Sequence, residues 1–292
     1  MTSQFSLIIP TLNAERELAS LLDCVSRQSI VPNEVIVIDS SSDDKTIDIA
    51  SRFDAKVIVV EREEFNHGLT RDKAFRASHG DIVCFLTQDA VIYGEKYFET
   101  LLSVFLDSSV ALATGRQMPK PDARRFEQLI RQYNYSDKSN IRSKEDIPKY
   151  GFKTYFASDV CSAYRRSYYL QCGGFDETDM AEDKLIAAKF IHAGLKVAYV
   201  ADACVLHSHN FSFSQQYLRN KADGYIMEKY SQRLVGSDEI SAGSKLAKVV
   251  AIQLAKEGRF IEVARFGVDC AARLLGSRAG RRLARKEGVK SL

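Results

Sequence analysis

Several things are missing from this 292-residue chain, and each absence removes a class of protein. Its six cysteines (Cys24, Cys84, Cys161, Cys172, Cys204 and Cys270) are scattered and show no CxxC or other zinc-like spacing. Cys84 and Cys204 lie inside apolar runs, as small buried hydrophobes do. The set is expected to be the reduced thiols of a cytosolic protein. The opening residues, Met1-Thr2-Ser3-Gln4-Phe5, have no basic region followed by an apolar stretch, so no signal peptide is expected. No uninterrupted apolar segment is long enough to span a bilayer. There is no internal repeat. A glycine-rich basic loop after the first strand is also lacking; Pro10-Thr11-Leu12-Asn13-Ala14-Glu15 stands there, which argues against a nucleotidyltransferase. What remains is a mildly basic chain, net charge +3, whose 45% hydrophobic content is enough for a large core.

The apolar runs alternate with helical patterns. Phe5 to Pro10 reads as a buried strand, followed by a helix over about 14–28 with Leu18, Leu21, Leu22 and Val25 on one stripe. Strands are expected at 34–38, 56–60 and 82–86, with helices over 45–53 and 70–77 between them. A helix at 94–106, a strand at 110–114, and a helix plus a mobile loop over 119–153 come next. Strands at 156–165, 195–200 and 204–207 flank a helix over 181–192 that ends at Gly194. Residues 212–292 are helical in pattern. This alternation implies βαβ units and a mainly parallel sheet flanked by helices, an α/β fold.

Ligands of open α/β sheets bind outside the carboxyl ends of the strands, and two acids stand there. Asp39 follows Val35-Ile36-Val37-Ile38 and could accept the imide N–H of a uracil or thymine ring; equally, it could be a turn or N-cap aspartate, like Asp43 and Asp44. Asp89 follows Leu86-Thr87-Gln88 and offers a hard oxygen to Mg2+ or Mn2+, or is an ordinary loop acid. Between them, in Asn66-His67-Gly68-Leu69-Thr70-Arg71, Gly68 permits close backbone approach. Arg71 there would face phosphates or the base, or else be a surface arginine. Glu182-Asp183 opens a helix whose dipole favours the carboxylate, which suits a general base or simple dipole complementarity. Asp176 and Asp179 are rival acids. In His207-Ser208-His209-Asn210, an imidazole could complete a metal site begun by Asp89, or form a hydrogen-bonded loop.

Taken together, residues 5–212 resemble the inverting, family-2 glycosyltransferases of GT-A fold. Leu7-Ile8-Ile9-Pro10-Thr11-Leu12-Asn13 is similar to their opening strand, where Thr11, Asn13 and Glu15 would border the nucleotide. Val37-Ile38-Asp39-Ser40 matches the strand end whose aspartate contacts the base. Leu86-Thr87-Gln88-Asp89-Ala90 stands in place of the DxD motif, with Thr87 for the first aspartate. Gly173-Gly174-Phe175-Asp176 matches the double-glycine turn, and Glu182-Asp183 the acidic pair whose aspartate is the base. With Glu64-Phe65-Asn66-His67-Gly68 and His207-Ser208-His209-Asn210, the chain looks like bacterial rhamnosyltransferases that use dTDP-L-rhamnose. The resemblance implies a nucleotide-sugar half (1–95), a metal and acceptor half (96–211) and a helical, basic extension (212–292). It assigns Asp183 as base with Glu182 beside it. Asn66, Gly68, Arg71 and Gln88 would lie at the donor, and Asp89 with His207 at Mg2+ or Mn2+. The acceptor would be a glycan or a lipid-linked glycan.

The end of the chain is basic: Arg273, Arg278, Arg281, Arg282, Arg285, Lys286 and Lys290 face the single acid Glu287. Apolar residues upstream, among them Phe260, Ile261, Val268, Leu274 and Leu275, make its helices amphipathic. Such a segment suits the anionic cytoplasmic face of the inner membrane, or a packing helix with a solvated basic side. Nucleic-acid binding is not expected, because no groove-reading motif accompanies the charges.

Overall fold

A computed structural model describes residues 4–234 and 239–288. Its strands are β1 (Phe5–Thr11), β2 (Glu34–Asp39), β3 (Lys56–Val59), β4 (Ile82–Leu86), β5 (Val91–Ile92), β6 (Val110–Met118), β7 (Asn140–Arg142), β8 (Cys161–Arg165) and β9 (Lys196–Leu206). The helices are α1 (Leu18–Ser26), α2 (Thr46–Arg52), α3 (His67–Arg76), α4 (Tyr97–Leu102), α5 (Arg125–Asn134), α6 (Ile147–Tyr150), α7 (Arg166–Gln171), α8 (Glu182–His192), α9 (Phe213–Lys229), α10 (Glu239–Lys256) and α11 (Phe260–Lys286).

One sheet runs β3-β2-β1-β4-β8-β6-β9-β5, with β7 added against β9. The first four strands are parallel, whereas β8 is antiparallel to both β4 and β6. Side chains alternate across a strand, so both faces of the sheet need apolar cover. Leu7 and Ile9 point into the layer with Leu18, Leu22 and Phe98, while Ile8 faces Phe75, Ile186 and Phe190. The carboxyl ends of β1, β2 and β4 therefore meet at one edge, at the reversal of strand order where such sheets bind ligands.

Three sequence expectations change in the structure. The strands expected at 195–200 and 204–207 are one strand, β9. Its register against β6 slips between Gly115–Val200 and Arg116–Cys204, so residues 201–203 bulge without breaking the pairing. The bulged strand then delivers His207, whose amide donates to Met118 O at 2.8 Å. Second, the loop expected within 119–153 carries β7 and α6. Arg142 is buried there and donates to the Lys153 and Phe156 carbonyls at 2.6 and 2.7 Å, anchoring the segment. Third, α1 begins at Leu18 rather than 14, because residues 14–17 form a turn closed by Glu17 N to Ala14 O.

The helical pattern expected over 212–292 crosses residues 235–238 and 289–292, Lys290 among them, which lie outside those described. Elsewhere it is helical. Helices α10 and α11 cover α5 through Phe126, Ile130, Val250, Leu254 and Phe266, and α11 also lies closely along α9. Among the described residues, no helix is long and apolar enough to cross a membrane.

At Gly280 a Cβ atom would stand 1.9 Å from Lys221 O, whereas at Gly267, in the same helix, it would meet nothing within 4 Å. Gly280→Ala is expected to destabilise the protein by about 1–3 kcal/mol through backbone displacement. Gly267→Ala should instead stabilise it by up to about 1 kcal/mol through helix propensity. Thermal unfolding of the two variants checks the opposite signs.

Candidate active site

The nucleotide-side loops are tied to one another. Asp39 is fully buried: Oδ1 accepts from Thr11 Oγ1 (2.8 Å) and Ser42 Oγ (2.6 Å), and Oδ2 from Ser42 N (2.7 Å). Asp44, just ahead of the next helix, accepts from Thr46 N at 3.0 Å. Asn13, at a φ of 51°, accepts from Asp43 N at 2.9 Å, and Glu15 accepts from Lys45 N at 3.3 Å. Gln88 grips the same loop from the β4 side, accepting from Leu12 N (2.8 Å) and donating to Leu12 O (3.2 Å). Thr11, Asn13, Glu15, Asp39 and Gln88 thus build one hydrogen-bonded rim.

Asn66 and Gly68 make a seam between two distant segments, with the close backbone approach expected at Gly68. Asn66 caps α3 by accepting from Leu69 N at 3.0 Å, and it also accepts from Thr178 N (3.1 Å) and donates to Asp179 (2.9 Å). Gly68 N donates to Thr178 O at 3.0 Å, and a Cβ there would lie 1.9 Å from Asp176 O. These residues fasten α3 to the turn before α8. The rival acids are consumed nearby: Asp179 by Asn66, and Asp176 by Lys189 (3.0 Å) and Arg233 (3.1 Å).

With α3 fixed, Arg71 is brought into a cavity of 490 Å³ lined also by Asp89, Asp159, Glu182, Asp183, His207 and His209. Asp39 is not among the lining residues, since its side chain is turned back onto its own loop. Arg71 is buried, not a surface arginine. Its Nη1 lies 3.3 Å from Glu182 and its Nε 3.9 Å from Asp159. Asp159, which sequence reasoning did not single out, is buried and accepts from Ser162 Oγ (2.6 Å) and Tyr164 OH (2.5 Å). Asp183 is half-buried. Burial, then the charges of Glu182 and Asp159, hold its carboxyl well above the usual range.

The opposite wall gathers metal-type ligands. Asp89 Oδ2 stands 3.4 Å from His207 Nε2 and 3.5 Å from His209 Nε2, and the two imidazole nitrogens are 3.0 Å apart. These three residues present one ligand atom each within 4.8 Å of one another. His209 joins the pair expected from sequence, with Phe211 stacked on its ring. His207 Nδ1 faces Gln117 Oε1 at 2.9 Å, and Gln117 Nε2 donates to Ser158 at 2.7 Å, which assigns the proton to Nδ1. Nε2 is then a bare lone pair aimed at a carboxylate. Burial keeps both histidines neutral, lowering His209 to about 4 with help from the neighbouring His207. Burial works to raise the Asp89 carboxyl, but His207, Lys120 and His209 outweigh it and hold it well below the usual range. One carboxylate oxygen and two imidazole nitrogens converging within 4.8 Å suit a divalent cation, with Lys120 Nζ, 3.4 Å from the same Asp89 oxygen, as their cationic neighbour. The outward hydrogen bond of His207 to Gln117 is the orienting contact such ligands need.

A family model described as "Glycosyl transferase family 2" matches residues 6–173, more than half of the chain. The chain belongs to glycosyl transferase family 2. Among its relatives, this glycosyltransferase is 44% identical over 218 residues to the O-antigen chain rhamnosyltransferase WbaN of Salmonella anatum, covering 74% of this chain and 69% of that one. The O-antigen chain rhamnosyltransferase RfbN of Salmonella typhimurium is 42% identical over 219 residues, covering 74% and 70%. In fold, the glycosyltransferase is similar to a mannosyltransferase of Pyrobaculum calidifontis, solved in complex with GDP-Man and Mn2+. That match has a TM-score of 0.67 at 16% identity and covers 96% of this chain and 87% of the other. TarS of S. aureus, residues 1–349 in complex with UDP, superposes with a TM-score of 0.57 at 17% identity, over 97% and 92% of the chains. The GT-A expectation for the sheet is met.

The glycosyltransferase should bind Mn2+ through Asp89, His207 and His209, measured by titration calorimetry without donor. Because both histidines are already neutral, affinity should hold from pH 8 down to about 6 and weaken only below that. His209→Ala should weaken binding markedly, and Gln117→Leu by about 10–100-fold through loss of the orienting contact. Binding unaffected by either substitution would remove the cation from this wall.

Proposed function

We propose that this enzyme transfers L-rhamnose from dTDP-L-rhamnose to a growing cell-surface glycan, by a single inverting displacement. The observation that carries the reading is one cavity with a proton-seeking carboxylate, Asp183, on one wall and the Asp89–His207–His209 cluster on the other. The rhamnosyltransferase names of relatives above 40% identity supply the sugar.

In this reading the thymine base lies against the rim formed by Thr11, Asn13, Glu15 and Asp39, with Gln88 closing it. Asp39 orders the rim, its carboxylate held by three donors. Asp89, His207 and His209 would hold Mg2+ or Mn2+, which when bound would neutralise charge on the departing diphosphate. Asp183 takes the proton of the acceptor hydroxyl. That oxygen forms a bond to the anomeric carbon as the bond to the diphosphate oxygen breaks, and the electron pair leaves with dTDP. Glu182 is engaged by Arg71, so Asp183 is the freer acid of the pair.

The acceptor we favour is a glycan carried on a lipid at the cytoplasmic face of the inner membrane. Phe260, Ile261, Val268, Leu274 and Leu275 are exposed along α11, with Phe260 and Ile261 71% and 72% accessible. Arg278, Arg282 and Lys286, all exposed, continue along the same side of the helix. An apolar stripe passing into cations is the pattern of a helix lying in a lipid interface.

A panel of dTDP-, UDP- and GDP-sugars, with and without EDTA, should give the largest thermal stabilisation with dTDP-rhamnose plus Mg2+ or Mn2+. Preference for a GDP-sugar would overturn the base assignment. Asp183→Asn should retain donor binding and lose about 10²–10⁴-fold in kcat. In the unaltered enzyme kcat/KM should climb with pH through a midpoint above the ordinary carboxylate range, because the base must be deprotonated. Near-normal turnover by Asp183→Asn would move the base elsewhere.

For the lipid surface, Phe260→Ser combined with Leu275→Ser should abolish sedimentation with phosphatidylglycerol vesicles and leave the unfolding temperature unchanged. Equal sedimentation of the variant and the unaltered protein would refute docking by α11.

A further inference from the structure

Asp159 is a buried acid for which the displacement above has no use. It is 3% exposed, sits just before β8 and lines the same cavity as Asp183. Its two oxygens are in different situations. Oδ1 is fixed by the Ser162 and Tyr164 hydroxyls, while Oδ2 accepts no hydrogen bond and faces Arg71 Nε, itself without an acceptor, 3.9 Å away. Arg71 meanwhile reaches Glu182 with Nη1 at 3.3 Å. One guanidinium therefore stands between two carboxylates, Glu182 and Asp159, in the cavity that Asp183 also lines. An arginine near Asp183 would stabilise its anion and blunt it as a base.

We propose that Asp159 is a positioning residue for the reaction: by sharing Arg71 with Glu182 it keeps the guanidinium away from Asp183, leaving that carboxylate to take the acceptor's proton. The inference rests on the reading of Asp183 as the base. Glu182 draws the Nη1 end of Arg71 and Asp159 its Nε, and Ser162 and Tyr164 fix the second anion. The charged and titratable groups around the cluster are Arg71 and His67 from α3, Glu182, Asp183 and Lys184 from α8, and Tyr164 from β8. Tyr135, after α5, also feels the Asp183 charge. Of these, Lys184 pairs with Asp223 at 3.0 Å and its amide donates to Asp183 Oδ1 at 2.7 Å, so its charge and amide partly offset the rise at Asp183. Burial, then the Glu182 charge, raises the Asp159 carboxyl, which Arg71 partly offsets. Asp159 and Asp183 thus titrate as members of one coupled group.

Asp159→Asn keeps an acceptor for Ser162 and Tyr164 but removes the charge that holds Arg71. The acidic limb of the kcat/KM profile should then move to lower pH, by about one unit, with a fall in kcat and little change in donor KM. A uniform fall at every pH, with the midpoint in place, would show a merely structural role and overturn the proposal. If the variant does not fold, carboxyl 13C titration of the aspartates in the unaltered protein and in Asp183→Asn decides. Removing the Asp183 charge should lower the Asp159 midpoint, and an unmoved midpoint overturns the coupling. Normal turnover by Asp183→Asn would sink the base assignment, whereas inactive Asp183→Asn with an unshifted Asp159→Asn profile sinks only the role of Asp159.

Discussion

The contact between the start of α3 and the turn at 176–179 is the constraint on which the site depends. Gly68 has no side chain, and the carbonyl of Asp176 occupies the space where one would begin. The two segments are more than 100 residues apart in sequence, and of the four hydrogen bonds made by Asn66 and Gly68, three join them. Of these, the Asn66–Leu69 bond caps the helix and the other three cross to the turn. Without this seam Arg71 would not reach Glu182 or Asp159. Asp183 would then lie at the mouth of a helix with nothing to set its surroundings. The glycine is a packing requirement first, and its place near a donor site follows from that.

The cavity has two chemically opposed walls. Around Asp89, a carboxylate held well below its usual range and two imidazoles whose pKa values are lowered create a place where a cation is favoured. Around Asp183, burial and neighbouring anions create a place where a proton is favoured. An inverting displacement needs both at once, because negative charge gathers on the leaving group while the acceptor loses a proton. Neutralising either wall with the other's charge would ruin both.

Much of this was legible in sequence because it is local. Asp39 and Asp89 end apolar runs, and a strand's carboxyl end is where the sheet exposes its loops. Glu182 and Asp183 open a helix whose stripe and C-terminal glycine are plain. Other parts were not legible because they depend on pairings between distant segments. Asp159 belongs to an unremarkable Ser-Asp-Val, and only the folding of β8 beside β4 brings it to Arg71. His207 and His209, at i and i+2, point the same way on an extended segment, but whether the chain beyond β9 presents both or only one is decided by the fold. The role of Gln117 could not be read at all, since a lone glutamine in a strand gives no sign of facing an imidazole. Asp39 shows the reverse error: its position was legible, but the three donors that turn it inward were not.

The C-terminal helices tie these observations together. Gln216 and Arg219 of α9 and Arg273 of α11 line the same cavity as Glu182 and Asp183, so the extension forms part of its wall. The same α11 presents buried Ala272, Gly276, Gly280 and Ala284 toward its packing partners and, on its other side, exposed Val268, Leu274 and Leu275. Small residues are needed on the packing side because α9 approaches too closely for side chains, while nothing inside the fold needs the apolar ones outside. A purely structural helix would gain solubility by replacing them with charged residues. Their retention beside a cationic end makes sense if the surface they contact also delivers the acceptor. A sugar carried on a lipid would then arrive along α11, pass Arg273, and meet Asp183 without leaving the interface.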